Sequence, residues 1–74
     1  MNQNIFEGKW KQFRGRVKEW WGDVTDDDLD SIGGKYDQFV GLLQEKYGYT
    51  QEHARNEIDR RWKEFDTDYV PASR

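Results

Sequence analysis

Cysteine is absent from this chain of 74 residues, which excludes a disulfide framework and a thiolate zinc site. Histidine occurs once, at His53, and serine only at Ser31 and Ser73. No nucleophile stands beside a base, and no phosphate-cradling loop of the GxxxxGK[ST] type occurs, so the usual parts of a catalytic centre are missing. Long apolar runs are also missing. Nothing approaches the roughly 18 consecutive apolar residues of a membrane span, and the start MNQNIFEGK has no apolar run after a basic region. There is no basic excess either: Lys and Arg number 12 against 15 Asp and Glu, the net charge is -3 and the pI about 5.0. That balance argues against a strongly basic nucleic-acid binder at the level of the whole domain. These absences lead us to expect a cytoplasmic protein that is not an enzyme and has no cofactor.

What the chain has is aromatic mass. The hydrophobic fraction is 34% and the charged fraction 36%, a balance that alone leans toward a weakly folded chain. Four Trp, four Tyr and four Phe reverse that leaning, because each ring can bury on the order of 150 to 250 Å². A single small domain with a core of few but large side chains is expected.

The chain also repeats itself. Residues 8–22, GKWKQFRGRVKEWWG, align at an offset of 26 with residues 34–48, GKYDQFVGLLQEKYG. Gly8, Lys9, Gln12, Phe13, Gly15, Glu19 and Gly22 each meet an identical residue, and Trp10 with Tyr36, Val17 with Leu43 and Trp21 with Tyr47 are conservative matches. Repetition at a fixed period signals repeated structure.

In the first copy Phe6, Trp10, Phe13, Val17, Trp20, Trp21 and Val24 recur at spacings of three and four, and in the second Tyr36, Phe39, Val40, Leu43 and Tyr47 do so. This is the mark of one helical face. Gly22 and Gly48 suit the left-handed residue that closes a helix, and Thr25 and Thr50 suit the start of the next. Asp28 stands where a capping box would have Glu or Gln, so that box reads as imperfect. Leu29 and Ile32 give a short helix its buried side, and Ala54, Ile58, Trp62 and Phe65 a longer one. The order is long, short, long, long. We therefore expect an all-α fold, a small four-helix bundle of two packed helical hairpins with an internal pseudo-repeat, in one domain over residues 1–66 with a disordered tail at 67–74.

Charge separates the two copies. Lys9, Lys11, Arg14, Arg16 and Lys18 against Glu19 give +4 over residues 8–22, whereas Lys35 and Lys46 against Asp37 and Glu45 leave residues 34–48 neutral, and five aspartates give -5 over residues 23–33. On a helical projection Lys11, Arg14 and Lys18 fall on one flank of the aromatic stripe, Lys9 and Arg16 on the other. These five are the candidate anion-binding residues, able to contact a nucleic acid or an anionic surface weakly. The competing reading is that their stems border the core while their heads stay in water, next to aspartates that cancel their field.

Other candidates are weaker. The run DDDLDSIGGKYD sets Asp26, Asp28, Asp30 and Asp37 at alternate and twelfth positions like a calcium loop, but Ser31 occupies the place that needs glycine and the twelfth residue is not Glu. Helix capping explains the aspartates with fewer assumptions, so no metal is expected. His53 reads as a solvated surface residue. Of Trp20 and Trp21, about 100° apart on a helix, at least one packs in the core while the other is a stacking candidate at the edge. Gly15 and Gly41, mid-helix and opposite the aromatic stripes, each cost about 1 kcal/mol against alanine. A close approach of another backbone, from within the fold or from a partner chain, would offset that cost.

The stretch KWKQFRGRVKEWWGDVTDDDLDSIGGKYDQFVGLLQEKYGYTQEHA, residues 9–54, resembles the CsbD-like family of small bacterial stress-response proteins. The pieces KWKQFRGRVKE, WGDVTDDD, GKYDQFVG and QEKYGY stand in order. The resemblance implies a cytoplasmic helical bundle made during general or osmotic stress, and carries over no activity, cofactor or catalytic residue. Leu42 and Leu43 replace a more polar pair in that family's pattern, which implies extra apolar surface on the second copy.

Overall fold

The computed structural model describes residues 3–69, with side chains through residue 66. All regular structure among these residues is helical: α1 (Gln3–Gly8), α2 (Trp10–Trp20), α3 (Asp26–Ile32), α4 (Tyr36–Tyr47) and α5 (Gln51–Tyr69). Five helices stand where four were expected, because the first long helix is divided at Lys9. There the backbone takes φ -105° and ψ 8°, and the Lys9 carbonyl accepts from both Gln12 and Phe13 at 3.1 and 2.9 Å. The division falls at the boundary of the repeat. Lys9 precedes α2 as Lys35 precedes α4, and each helix begins at the matching aromatic, Trp10 or Tyr36. The segment α1 is thus an N-terminal addition to the first copy.

That addition is tied into the second copy. Neither Lys9 nor Lys35 caps its helix with a side-chain bond. For α4 the cap comes from α1: the Tyr36 amide donates to Gln3 Oε1 at 3.0 Å, while Gln3 Nε2 donates to the Gly34 carbonyl at 2.9 Å. An amide side chain carries both donor and acceptor, so one glutamine satisfies both groups at the α3–α4 junction.

The core is aromatic at its centre. Phe6, Phe13 and Phe39 are fully buried, and the Phe13 ring lies 5.7 Å from Phe6, 6.2 Å from Phe39, 4.8 Å from Trp62 and 5.3 Å from Phe65, mostly in tilted or edge-on arrangements. Such geometries suit ring quadrupoles better than face-to-face stacking. Repeat partners Phe13 and Phe39, and Val17 and Leu43, are all 0% exposed. Leu42 packs partly buried beside them, so the extra apolar surface of the second copy is used within the fold. The principal helix contacts are α4 with α5, α2 with α5, α3 with α4, and α1 with both α2 and α4.

The turns match the sequence reading in part. Gly48 takes φ 71° and closes α4 as expected, and Gly33 takes φ 56° and closes α3. Gly22 has no positive φ. Instead α2 stops at Trp20, Trp21 leaves the helix at φ -128°, and a turn from the Trp21 carbonyl to the Val24 amide, 3.1 Å, folds both Trp21 and Val24 inward. Burying these two side chains wins over a glycine-closed helix end. The capping box at Thr25 is complete despite its aspartate: Thr25 N–H donates to Asp28 Oδ2 at 3.0 Å and Asp28 N–H to Thr25 Oγ1 at 3.1 Å. Thr50 Oγ1 accepts from His53 N–H at 3.0 Å, starting α5. Helix α5 runs through Tyr69; the remainder of the expected tail, residues 70–74, lies outside the described residues.

Candidate anion-binding face

The five basic residues of the first copy reach their places because α2 buries Trp10, Phe13 and Val17 against the core, which sends the intervening positions outward. The two flanks separate as projected. On one, Arg14 meets Asp30 at 2.9 Å and Lys18 meets Asp26 at 2.8 Å, both acids on α3. On the other, Lys9 meets Asp66 of α5 at 3.2 Å and Arg16 meets Glu19 at 3.3 Å. Lys11 is exposed and makes no ion pair among the described residues. The structure therefore does not gather the five into one cationic surface. It distributes four of them onto carboxylates of the same chain.

The pairing is visible in the acids. The Lys18 ammonium, through its hydrogen bond and charge, holds the Asp26 carboxyl below the ordinary carboxylate range. Asp28 is lowered as well, first by the Thr25 backbone N–H and then by Lys46, whose ammonium lies 2.9 Å away and is itself raised by that bond. Asp26, Asp28 and Asp30 of the run that resembles a calcium loop thus serve as a helix cap or as partners of lysine or arginine. No group of three His, Cys, Asp or Glu able to hold a metal occurs among the described residues.

Clefts near α3 and α4 lie apart from the five basic residues. One of about 320 Å³ lies between α3 and α4 and is lined by Asp28, Ser31, Ile32, Asp37, Gln38, Gly41, Leu42 and Glu45. Three carboxylates in that lining disfavour an anion. The other, about 350 Å³, is lined by Gln3, Glu7, Lys35, Asp37 and Gln38.

Trp21 is buried at 4% exposure, and Trp20 is the partly exposed one. Its ring carries Arg16 at 5.2 Å and, from α5, Arg61 at 5.7 Å. Sequence reasoning missed Arg61, and its only signal was its place one residue before the core position Trp62. His53 is exposed, its ring tilted against that of Tyr49 at 4.2 Å and its Nε2 3.6 Å from Glu57. Tyr36, half-buried against the core, has its hydroxyl pushed up to about 12, by burial first and then by Asp59. No helix among the described residues is long and apolar enough to cross a membrane.

The glycines divide by what surrounds them. A Cβ on Gly15 or Gly41 would meet nothing within 4 Å, so neither marks a close approach inside the fold. The close approach is at Gly34, where a Cβ would lie 3.3 Å from Glu7 Cγ and Trp10 Cβ, with φ +88° besides.

The CsbD-like family matches residues 4–56, from α1 into α5. The chain belongs to the CsbD-like family. It is 52% identical over 66 residues to the UPF0337 protein YjbJ of Escherichia coli O6:H1, covering 89% of this chain and 96% of that protein. A UPF0337 protein of Pectobacterium atrosepticum is 52% identical over 64 residues, 86% of this chain and 91% of the relative, and one of Pseudomonas aeruginosa 50% identical over 58 residues, 78% and 89%. No solved structure matches. The CsbD-like match takes in the whole duplicated segment, residues 8–48, together with α1 and the start of α5.

Proposed function

We propose that this CsbD-like protein is a non-enzymatic, cytoplasmic stress-response protein whose family motif residues chiefly build the bundle. The observation that supports this reading is the use to which those residues are put. The aromatics of KWKQFRGRVKEWW and GKYDQFVG line the core, the threonine and aspartates of VTDDD cap α3, and the lysines and arginines of α2 are paired within the chain, Lys11 excepted. Among the motif residues, Asp28, Lys35, Asp37, Gln38 and Gly41 line clefts and gather no cluster of cations there. The bundle is read as two hairpins, α1 and α2 with α3, and α4 with α5, related by the pseudo-repeat, whose central pairs Phe13 with Phe39 and Val17 with Leu43 share full burial, while Arg14–Asp30 and Lys18–Asp26 join α2 to α3. A role for the basic helix as a nucleic-acid or anionic-surface module is the second reading, and Lys11 is the residue that keeps it open.

The test is survival after an osmotic upshift in a strain lacking the protein. Loss of survival is expected, restored by the wild type and equally by the triple variant Lys11→Gln, Arg14→Gln, Lys18→Gln. Unchanged survival of the deletion strain would contradict the stress role. Rescue by wild type alone, with the variant folded, would transfer the function to the basic helix.

A further inference from the structure

At the outer edge between α2 and α5, Trp20 is backed by Phe13 at 5.5 Å and Trp21 at 5.9 Å and flanked by Arg16 and Arg61. The Arg61 Nε is buried without a hydrogen-bond partner, so this guanidinium is held against the indole instead of turning fully to water. Tryptophan and arginine are the side chains most often found at the energetic centres of protein interfaces. Each arginine is followed three residues later by a glutamate it contacts, Glu19 at 3.3 Å and Glu64 at 3.4 Å, both well exposed. A polyanion approaching this edge meets a carboxylate beside every guanidinium. A surface that carries both signs in alternation is complementary to a copy of itself turned about a two-fold axis.

The register of α2 makes that pairing specific. When α2 runs antiparallel to α2 of a second copy so that Arg16 lies across from Glu19 of that copy, Gly15 lies across from its Trp20, since both pairs are centred between Val17 and Lys18. Gly15 is exposed and has open space above it, a notch in which an indole can sit. A mid-helix glycine, unfavourable in an isolated helix, then has a use that nothing within the fold supplies. We propose that the α2–α5 edge is a self-association surface for a second copy of this chain, with Trp20 of each copy over Gly15 of the other and Arg16 against Glu19. This goes beyond the stress-response reading and does not depend on it.

Sedimentation equilibrium from about 10 µM to about 1 mM protein tests it. The mass is expected to rise from 9.0 kDa toward twice that value with concentration. Gly15→Leu, whose Cβ meets nothing within 4 Å in the monomer, should remain at 9.0 kDa with an unchanged circular dichroism spectrum. Arg16→Glu and Glu19→Arg should each be monomeric alone and form a heterodimer when mixed. A wild type that stays at 9.0 kDa throughout, a Gly15→Leu variant that associates like wild type, or charge variants that do not pair on mixing would each overturn the proposal. A mass increase only on adding single-stranded DNA would overturn it too, and assign the edge to nucleic acid.

Discussion

Single residues show most clearly which sequence features serve the fold and which do not. Gly34 sits at φ +88° with Glu7 and Trp10 pressed against it, whereas Gly15 and Gly41 lie in regular helix with open space above them. Gly34→Ala is therefore expected to destabilise by more than about 1–2 kcal/mol, the cost of left-handed backbone alone. Gly15→Ala and Gly41→Ala, at micromolar protein, should each stabilise by about 0.5–1 kcal/mol. Urea unfolding midpoints of the three variants decide this, and equal effects would contradict the packing described for Gly34. The contacts that set Gly34 apart come from Glu7 of α1 and Trp10 of α2, far away along the chain, so no local pattern announces them. Asp28 offers a pH test of the same kind. Its carboxyl is held below the ordinary value by Thr25 N–H and Lys46, so its contribution is present above the unfolded carboxylate pKa and is lost as pH falls through the lower folded value. Unfolding midpoints of wild type and Asp28→Asn should differ at neutral pH and converge in strong acid; a gap that widens on acidification would reverse the sign.

Among the elements, the aromatic stripes and threonine caps make α3, α4 and α5 legible in the sequence, and they place the bulk of α2. The break at Lys9 is not legible, because Phe6 continues the spacing of Trp10 and Phe13 without interruption and periodicity alone cannot see a change of axis. The repeat holds the missing information: Gly8-Lys9 corresponds to Gly34-Lys35, and the latter pair plainly precedes a new helix. The role of Gln3 is invisible for a different reason, since an amide that caps a helix beginning thirty-three residues later leaves no local pattern. Gln3→Ala should free the Tyr36 amide and the Gly34 carbonyl together, costing about 0.5–1.5 kcal/mol for each bond lost. Hydrogen exchange is the direct readout: the Tyr36 amide should lose protection while Phe39, held by the Lys35 carbonyl at 3.1 Å, keeps it. Unchanged exchange at Tyr36 would mean the glutamine is not the cap.

For the whole molecule, the polarised charge of the sequence is an internal arrangement. The +4 of residues 8–22 and the -5 of residues 23–33 lie next to each other in the chain and face each other across α2 and α3, where Arg14 meets Asp30 and Lys18 meets Asp26. Exposed pairs of this kind contribute little stability each, typically about 0–1 kcal/mol. Their larger effect is on the field outside, which opposed charges at about 3 Å largely cancel beyond a Debye length of roughly 8–10 Å. The candidate site is thus legible as a list of residues and not as a site, because its partners Asp30, Asp26 and Asp66 come from other helices. Titration of the folded protein with duplex and single-stranded DNA at low and moderate salt measures that cancellation directly. With the charges internally paired, micromolar protein should show no salt-dependent binding; a linear fall of log K with log salt, flattened by replacing Lys11, Arg14 and Lys18, would show that the basic helix faces a polyanion after all.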